Sequence, residues 1–139
     1  MQVSIDRQDG WAAAMRSAGL EPDLVAHGDF TMASGAAAMR ELLDRAPDLD
    51  GVFVASDLMA TGALSVLQAR GRRVPEDVAV VGFDNSSAAT TGEVGITTVH
   101  QPSREMGREM ARMLLALLRG EPTDRVRVMP TRLVVRDSA

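Results

Sequence analysis

Two unbroken apolar runs, Gly51-Val52-Phe53-Val54-Ala55 and Val78-Ala79-Val80-Val81-Gly82-Phe83, constrain this chain more than any other feature. Neither alternates apolar with polar residues, so each must be covered on both faces, as strands in the middle of a parallel sheet are. Parallel neighbours need a crossover of a dozen or more residues. The stretch between the two runs reads as a helix from Asp57 to about Arg70, ended by Gly71 and barred from continuing by Pro75. That is one βαβ unit, and it predicts a three-layer α/β/α domain around a mostly parallel sheet.

The rest of the chain extends the pattern. Asp6 is expected to cap a first helix from Arg7 to Ser17, with Trp11, Ala14, Met15 and Ala18 on its inner face and Gly19 at its end. Leu24 to His27 reads as a short strand. Thr31 caps a second helix through Met39, Leu42 and Leu43 that stops before Pro47. Ile96 to Val99 is a β-branched strand, after which Ser103 is expected to cap a helix with Met106, Met110, Met113, Leu114 and Leu117 on one face, closed by Arg119 and Gly120. Val126 to Val135 is strand-like, with Pro130 at an edge or bulge. The order opens on a helix, whereas right-handed βαβ units have a strand feeding each helix. The first strand is therefore expected to be missing from this chain, with Met1 an introduced or internal methionine.

Composition narrows the chemistry. The length of 139 residues and the 45% hydrophobic fraction suit one soluble domain or part of one. All 15 basic residues are arginine, so the lysine of a Schiff-base enzyme, a P-loop nucleotidase or a phosphoacceptor receiver is missing. There is no cysteine, hence no thiolate chemistry and no disulfide. Neither G-x-S-x-G nor a strand-linked G-x-G-x-x-G occurs. His27 and His100 each lack a second ligand, so no metal is expected, and with it no cofactor, no catalytic residue and no enzyme. A net charge of −4 provides no basic footprint for nucleic acid. With no apolar run of the roughly 20 residues a membrane span needs, and no secretory pattern at the start, the chain reads as cytoplasmic without a membrane partner.

In an open parallel sheet, ligands bind beyond the carboxyl ends of the strands. Asp29, Asp57 and Asp84 stand there, with Phe30, Ser56 and Asn85 beside them, and Arg7 should face the same rim. A guanidinium fork and a carboxylate take vicinal hydroxyls while an aromatic face covers C–H groups, which suits a sugar-like ring. Asp29, Ser56 and Asp57 sit equally well as helix caps. Asp84 is read as a ligand contact, because Asn85, Ser86 and Ser87 could supply the cap. Trp11 is assigned to the core, and the Met-rich helix to core or a partner surface.

Across nearly the whole chain these residues resemble the C-terminal half of the LacI/GalR repressors. The resemblance is carried by Arg7…Gly10-Trp11, Gly28-Asp29-Phe30…Ser34-Gly35, Ala55-Ser56-Asp57…Met59-Ala60…Gly62-Ala63-Leu64 and Val74-Pro75-Glu76-Asp77-Val78-Ala79-Val80-Val81-Gly82-Phe83-Asp84. Thr97-Thr98-Val99-His100-Gln101-Pro102…Met106-Gly107 and the closing Leu133-Val134-Val135-Arg136-Asp137-Ser138 extend it. It implies a periplasmic-binding-protein-like lobe, with Arg7, Phe30, Ser56, Asp84 and Gln101 as effector contacts and Ser56 standing where the family often has Asn. It further implies a sugar or similar small polar metabolite as effector, a homodimer, and operator DNA held only through an N-terminal headpiece outside this chain. Residues 1–100 would form the effector-binding lobe, 101–125 a crossover helix for the other lobe, and 126–139 a returning strand and tail. Without that lobe, the Met-rich helix is expected to dock on a second copy. The competing assignment is the sugar-binding component of a transport system.

Overall fold

The two apolar runs form neighbouring parallel strands, β1 (Gly51–Phe53) and β2 (Ala79–Asp84), in the computed structural model, which describes residues 2–139. The reading of Met1 lies outside the described residues. β3 (Thr97–His100) pairs parallel to β2, and β4 (Arg132–Val134) pairs antiparallel to β3, giving the order β1-β2-β3-β4. The mostly parallel sheet is as expected. Register places Phe53 beside Val81 and Phe83 beside Val99, so these four share one face.

Helices α2 (Met32–Arg45) and α3 (Asp57–Ala69) cover the opposite face. There Met39, Leu67, Val78, Val80 and Ile96 are all but fully buried and form the core with Leu42, Leu43, Val54 and Ala63. Thr31 caps α2 by accepting from Ser34 N, and Ser56 caps α3 by accepting from Met59 N. Gly71, at φ +69°, turns the chain out of α3 in the left-handed conformation glycine adopts without strain.

The face carrying Phe53 and Val81 lies under α1 (Gln2–Ser17) and is not sealed. A cavity of about 590 Å³ separates Val3 and Trp11 of the helix from Phe53, Val81, Phe83 and Val99 of the sheet. Trp11 is therefore half-buried and not core, and Ala12, not Ala14 or Ala18, is the residue of this helix that is buried. The helix also starts earlier than expected: Asp6 lies inside it and accepts from Gln2 Nε2 at 2.8 Å, so it is no N-cap.

Three further expectations fail for local reasons. Leu24 to His27 joins no strand ladder; an apolar groove of about 470 Å³ lies between it and β1. Pro102, not Ser103, is the N-cap of α4 (Ser103–Leu118), and Ser103 Oγ turns back to the Gln101 carbonyl. Of Val126 to Val135 only Arg132–Val134 finds a ladder partner. Helix α4 contributes little to the core: Met110 is 64% exposed, Leu117 60% and Leu118 75%, so its apolar face is a surface. No described helix is long and apolar enough to cross a membrane.

Candidate functional site

Arg7 reaches the carboxyl ends of β1 and β2 because it sits in the first two turns of α1, above the open sheet face. Its Nη2 donates to Asp84 Oδ1 at 3.1 Å and to Gln101 Oε1 at 3.1 Å, while Nη1 donates to the Ala55 carbonyl. The guanidinium carbon lies 3.8 Å from the centroid of the Phe83 ring and 5.9 Å from that of Phe30. Arg7 Nε is buried and has no hydrogen-bond partner among the described residues. With a side chain only 10% exposed, Arg7 is a largely desolvated cation anchored by one carboxylate and two neutral acceptors.

Four of the five expected residues are thus brought together, Arg7, Phe30, Asp84 and Gln101, although Arg7 and Gln101 stand 94 positions apart. Ser56 is not among them: it is buried and turned toward Met59 N as the cap of α3, although its neighbour Ala55 supplies a carbonyl to Arg7. Asp57 neither caps α3 nor opens to the rim. It is fully buried, with Oδ1 accepting from Thr98 Oγ1 at 2.6 Å and Oδ2 from Ser86 N at 2.6 Å. Asp29 is exposed and accepts from Thr31 N and Thr31 Oγ1, bonds that hold its carboxyl below the ordinary range.

Phe83 is the residue that sequence reasoning missed. The signal was available: two positions after Val81, it must point to the same face of β2, toward α1. A cation over an aromatic face gains about 0.5–2 kcal/mol, more as water is excluded, so the ring helps hold the guanidinium level with the rim.

Asp84 leads off a strained turn, with φ +106° followed by +54° at Asn85. Burial raises its carboxyl above the usual range, opposed by the charge of Arg7 and assisted by that of Asp57. Asp77, in the turn before β2, is the contrast: hydrogen bonds from Arg73 lower it to about 2. The two act oppositely on stability. A raised folded value favours the fold below the unfolded value of 3.8, and that contribution is lost as pH rises through the folded value. A depressed one stabilises above 3.8 and fades as pH falls toward about 2. Carboxyl-carbon NMR titration should place Asp84 above and Asp77 below 3.8; the reverse order would contradict the burial of this rim.

Among the described residues, no group of three or more His, Asp or Glu side chains is placed to hold a metal ion. His100 Nδ1 instead faces Asn85 Nδ2 at 3.1 Å.

A family model described as "Periplasmic binding protein-like domain" matches residues 2–139. The chain is 57% identical over 141 residues to the HTH-type transcriptional regulator CelR of Thermobifida fusca, covering 99% of this chain and 42% of that protein. It is 38% identical over 135 residues to the HTH-type transcriptional repressor CytR of Escherichia coli strain K12, covering 95% of this chain and 40% of that one. The solved structure of a CelR–cellobiose complex superposes with a TM-score of 0.91 at 56% identity, over 97% of this chain and 42% of the other. The chain therefore spans well under half the length of these relatives.

Proposed function

The chain belongs to the periplasmic-binding-protein-like family of LacI-type regulators, and on that premise we propose that it is the effector-binding portion of a transcriptional regulator responding to a sugar. The observation that carries this reading is the convergence of Arg7, Asp84, Gln101 and two aromatic rings at one lip of the sheet. Asp84 and Gln101 keep Arg7 in place, and Phe30 offers an apolar face at the edge. Vicinal hydroxyls over a C–H surface match this set. Because a relative 56% identical is solved with cellobiose, a β-linked glucose disaccharide is the first effector to try. Ser56 serves the site indirectly, by setting the start of α3.

An effector alters DNA affinity only through unequal affinity for two arrangements of the regulator. In this reading the sugar bridges the Arg7–Asp84 lip to the other lobe and shifts a cytoplasmic homodimer whose headpieces, outside this chain, hold the operator. The net charge of −4 leaves no role for this portion in gripping DNA itself. Nothing in the arrangement calls for catalysis.

In the operator-bound regulator, Asp84→Asn should raise the cellobiose concentration needed for half-maximal response by about tenfold, the loss of one charge-assisted bond, with operator affinity unaltered. An unaltered cellobiose response would remove the lip from the site. Residues 101–125 are assigned to the contact with the other lobe. In the isolated chain, Met110, Leu114, Leu117 and Leu118 of that stretch are expected to be covered by a second copy, since exposing such a face is unfavourable by about 1.5 kcal/mol per side chain. Light scattering should return the mass of a dimer; a monomer with α4 still helical would defeat the assignment.

A further inference from the structure

The turn that presents Asp84 has two consecutive non-glycine residues at positive φ, Asp84 at +106° and Asn85 at +54°. Such a conformation persists only where its surroundings over-determine it. Part of the support is buried: Asn85 N donates to Thr98 Oγ1 at 3.3 Å, and Thr98 Oγ1 and Ser86 N donate to the two oxygens of Asp57.

The remaining support comes from the far end of the chain. Arg136 Nη2 donates to Asn85 Oδ1 at 2.6 Å, 51 positions away. The same guanidinium holds the Ile96 carbonyl through Nη1 at 2.8 Å, and Arg136 N donates to Thr97 Oγ1 at 2.8 Å. The tail that carries it is stitched to the sheet by Ser138, whose Oγ accepts from Thr97 N at 2.8 Å and donates to the Val80 carbonyl. With Oδ1 claimed by Arg136, the Asn85 amide must present Nδ2 to His100 Nδ1, which then accepts and leaves the ring proton on Nε2. Asn85 is thus gripped from both ends of its side chain.

We propose that Arg136, acting through Asn85, is a positioning residue that aims the Asp84 carboxylate at Arg7. Its value for effector response rests on the reading of the Arg7–Asp84 lip as the sugar site, but the positioning itself does not. Arg136 is half-exposed and, among the described residues, makes no hydrogen bond to Arg7 and no ion pair with Asp84, so it acts by denying the turn other conformations. A tail that merely staples the sheet would need only the bonds to Ile96 and Thr97.

Two variants separate the roles. Arg136→Ala removes all the side-chain bonds, whereas Asn85→Gly removes only the grip on the turn, suits φ +54°, and leaves Arg136 bound to Ile96. Carboxyl-carbon NMR of the chain should show the Asp84 titration moving toward the ordinary range in both, because a loosened turn lets water reach the carboxylate. The double variant should move it no further than Asn85→Gly alone, which already removes the bonds to both Arg136 and His100. An Asp84 titration unchanged in both variants, whatever happens to the melting temperature, overturns the proposal. In the intact regulator, with cellobiose as probe, the half-maximal concentration should rise about tenfold in each. If Asp84 moves but the cellobiose response does not, or if no variant nor the parent responds to cellobiose, the positioning stands and the sugar-site reading falls.

Discussion

Replacing Arg7 by alanine is expected to weaken effector binding about a hundredfold while the chain stays folded. The guanidinium is the one group that touches Asp84, Gln101, the Ala55 carbonyl and the Phe83 ring together. Losing hydrogen bonds that a charged group makes to a ligand costs about 1.5–3 kcal/mol, and each ~1.4 kcal/mol is a factor of ten in affinity. The fold should survive because Arg7 lies over the open face, outside the core under α2 and α3, and the Asp84 side chain, 34% exposed, can be rehydrated. Arg7→Lys should fail nearly as badly, since a single ammonium cannot engage three acceptors spread around a planar fork. Calorimetric titration with cellobiose, alongside a thermal melt, checks both halves of the expectation. Affinity within a few-fold of the parent would show that the sugar does not depend on this arginine.

Gly62→Ala is expected to produce a large loss of stability for a single added methyl group, about 3 kcal/mol and hence roughly 10 °C in Tm for a chain of this size. A Cβ at Gly62 would fall inside van der Waals contact with the Met32 carbonyl oxygen and 2.8 Å from Ala36 N. Gly35 meets the same obstacle from the other side, against the backbone of Met59. These are main-chain atoms of facing helices, so no side chain can turn aside to make room. Relief requires α2 and α3 to separate, and that pair covers the sealed face of the sheet and carries Met39, Leu42, Ala63 and Leu67. Gly107→Ala is the control. It lies within α4 with open space where its Cβ would stand, so the substitution should be neutral or stabilising by a few tenths to about 1 kcal/mol. Equal losses from Gly62→Ala and Gly107→Ala would mean that close helix approach is not what the glycine supplies.

Much of the fold was legible because its signals are local. The apolar runs at Val52 and Val80, the cap at Thr31 and the stop at Gly71 each announce their element within a few residues. Where the reading failed, a local signal was overruled or had no partner. Asp6 is a good cap residue that α1 extends past, and Leu24 to His27 has strand composition but pairs with no strand among the described residues. Ser56 and Asp57 show the same limit at the rim. Their types fit ligand contact and capping equally well, and the structure uses one as a cap and encloses the other as the acceptor for Thr98 and Ser86.

Periodicity and end signals were therefore enough to establish a parallel α/β layer, its crossovers, and the lip at which polar residues would gather. They could not say that Arg7 lies against Phe83, that Asp57 faces inward, or that Arg136 grips Asn85. An element declares itself through neighbours a few positions along the chain. A charged side chain finds its partner through space, across 77 residues for Arg7 and Asp84, and only the packed helices and sheet bring the two within hydrogen-bonding reach.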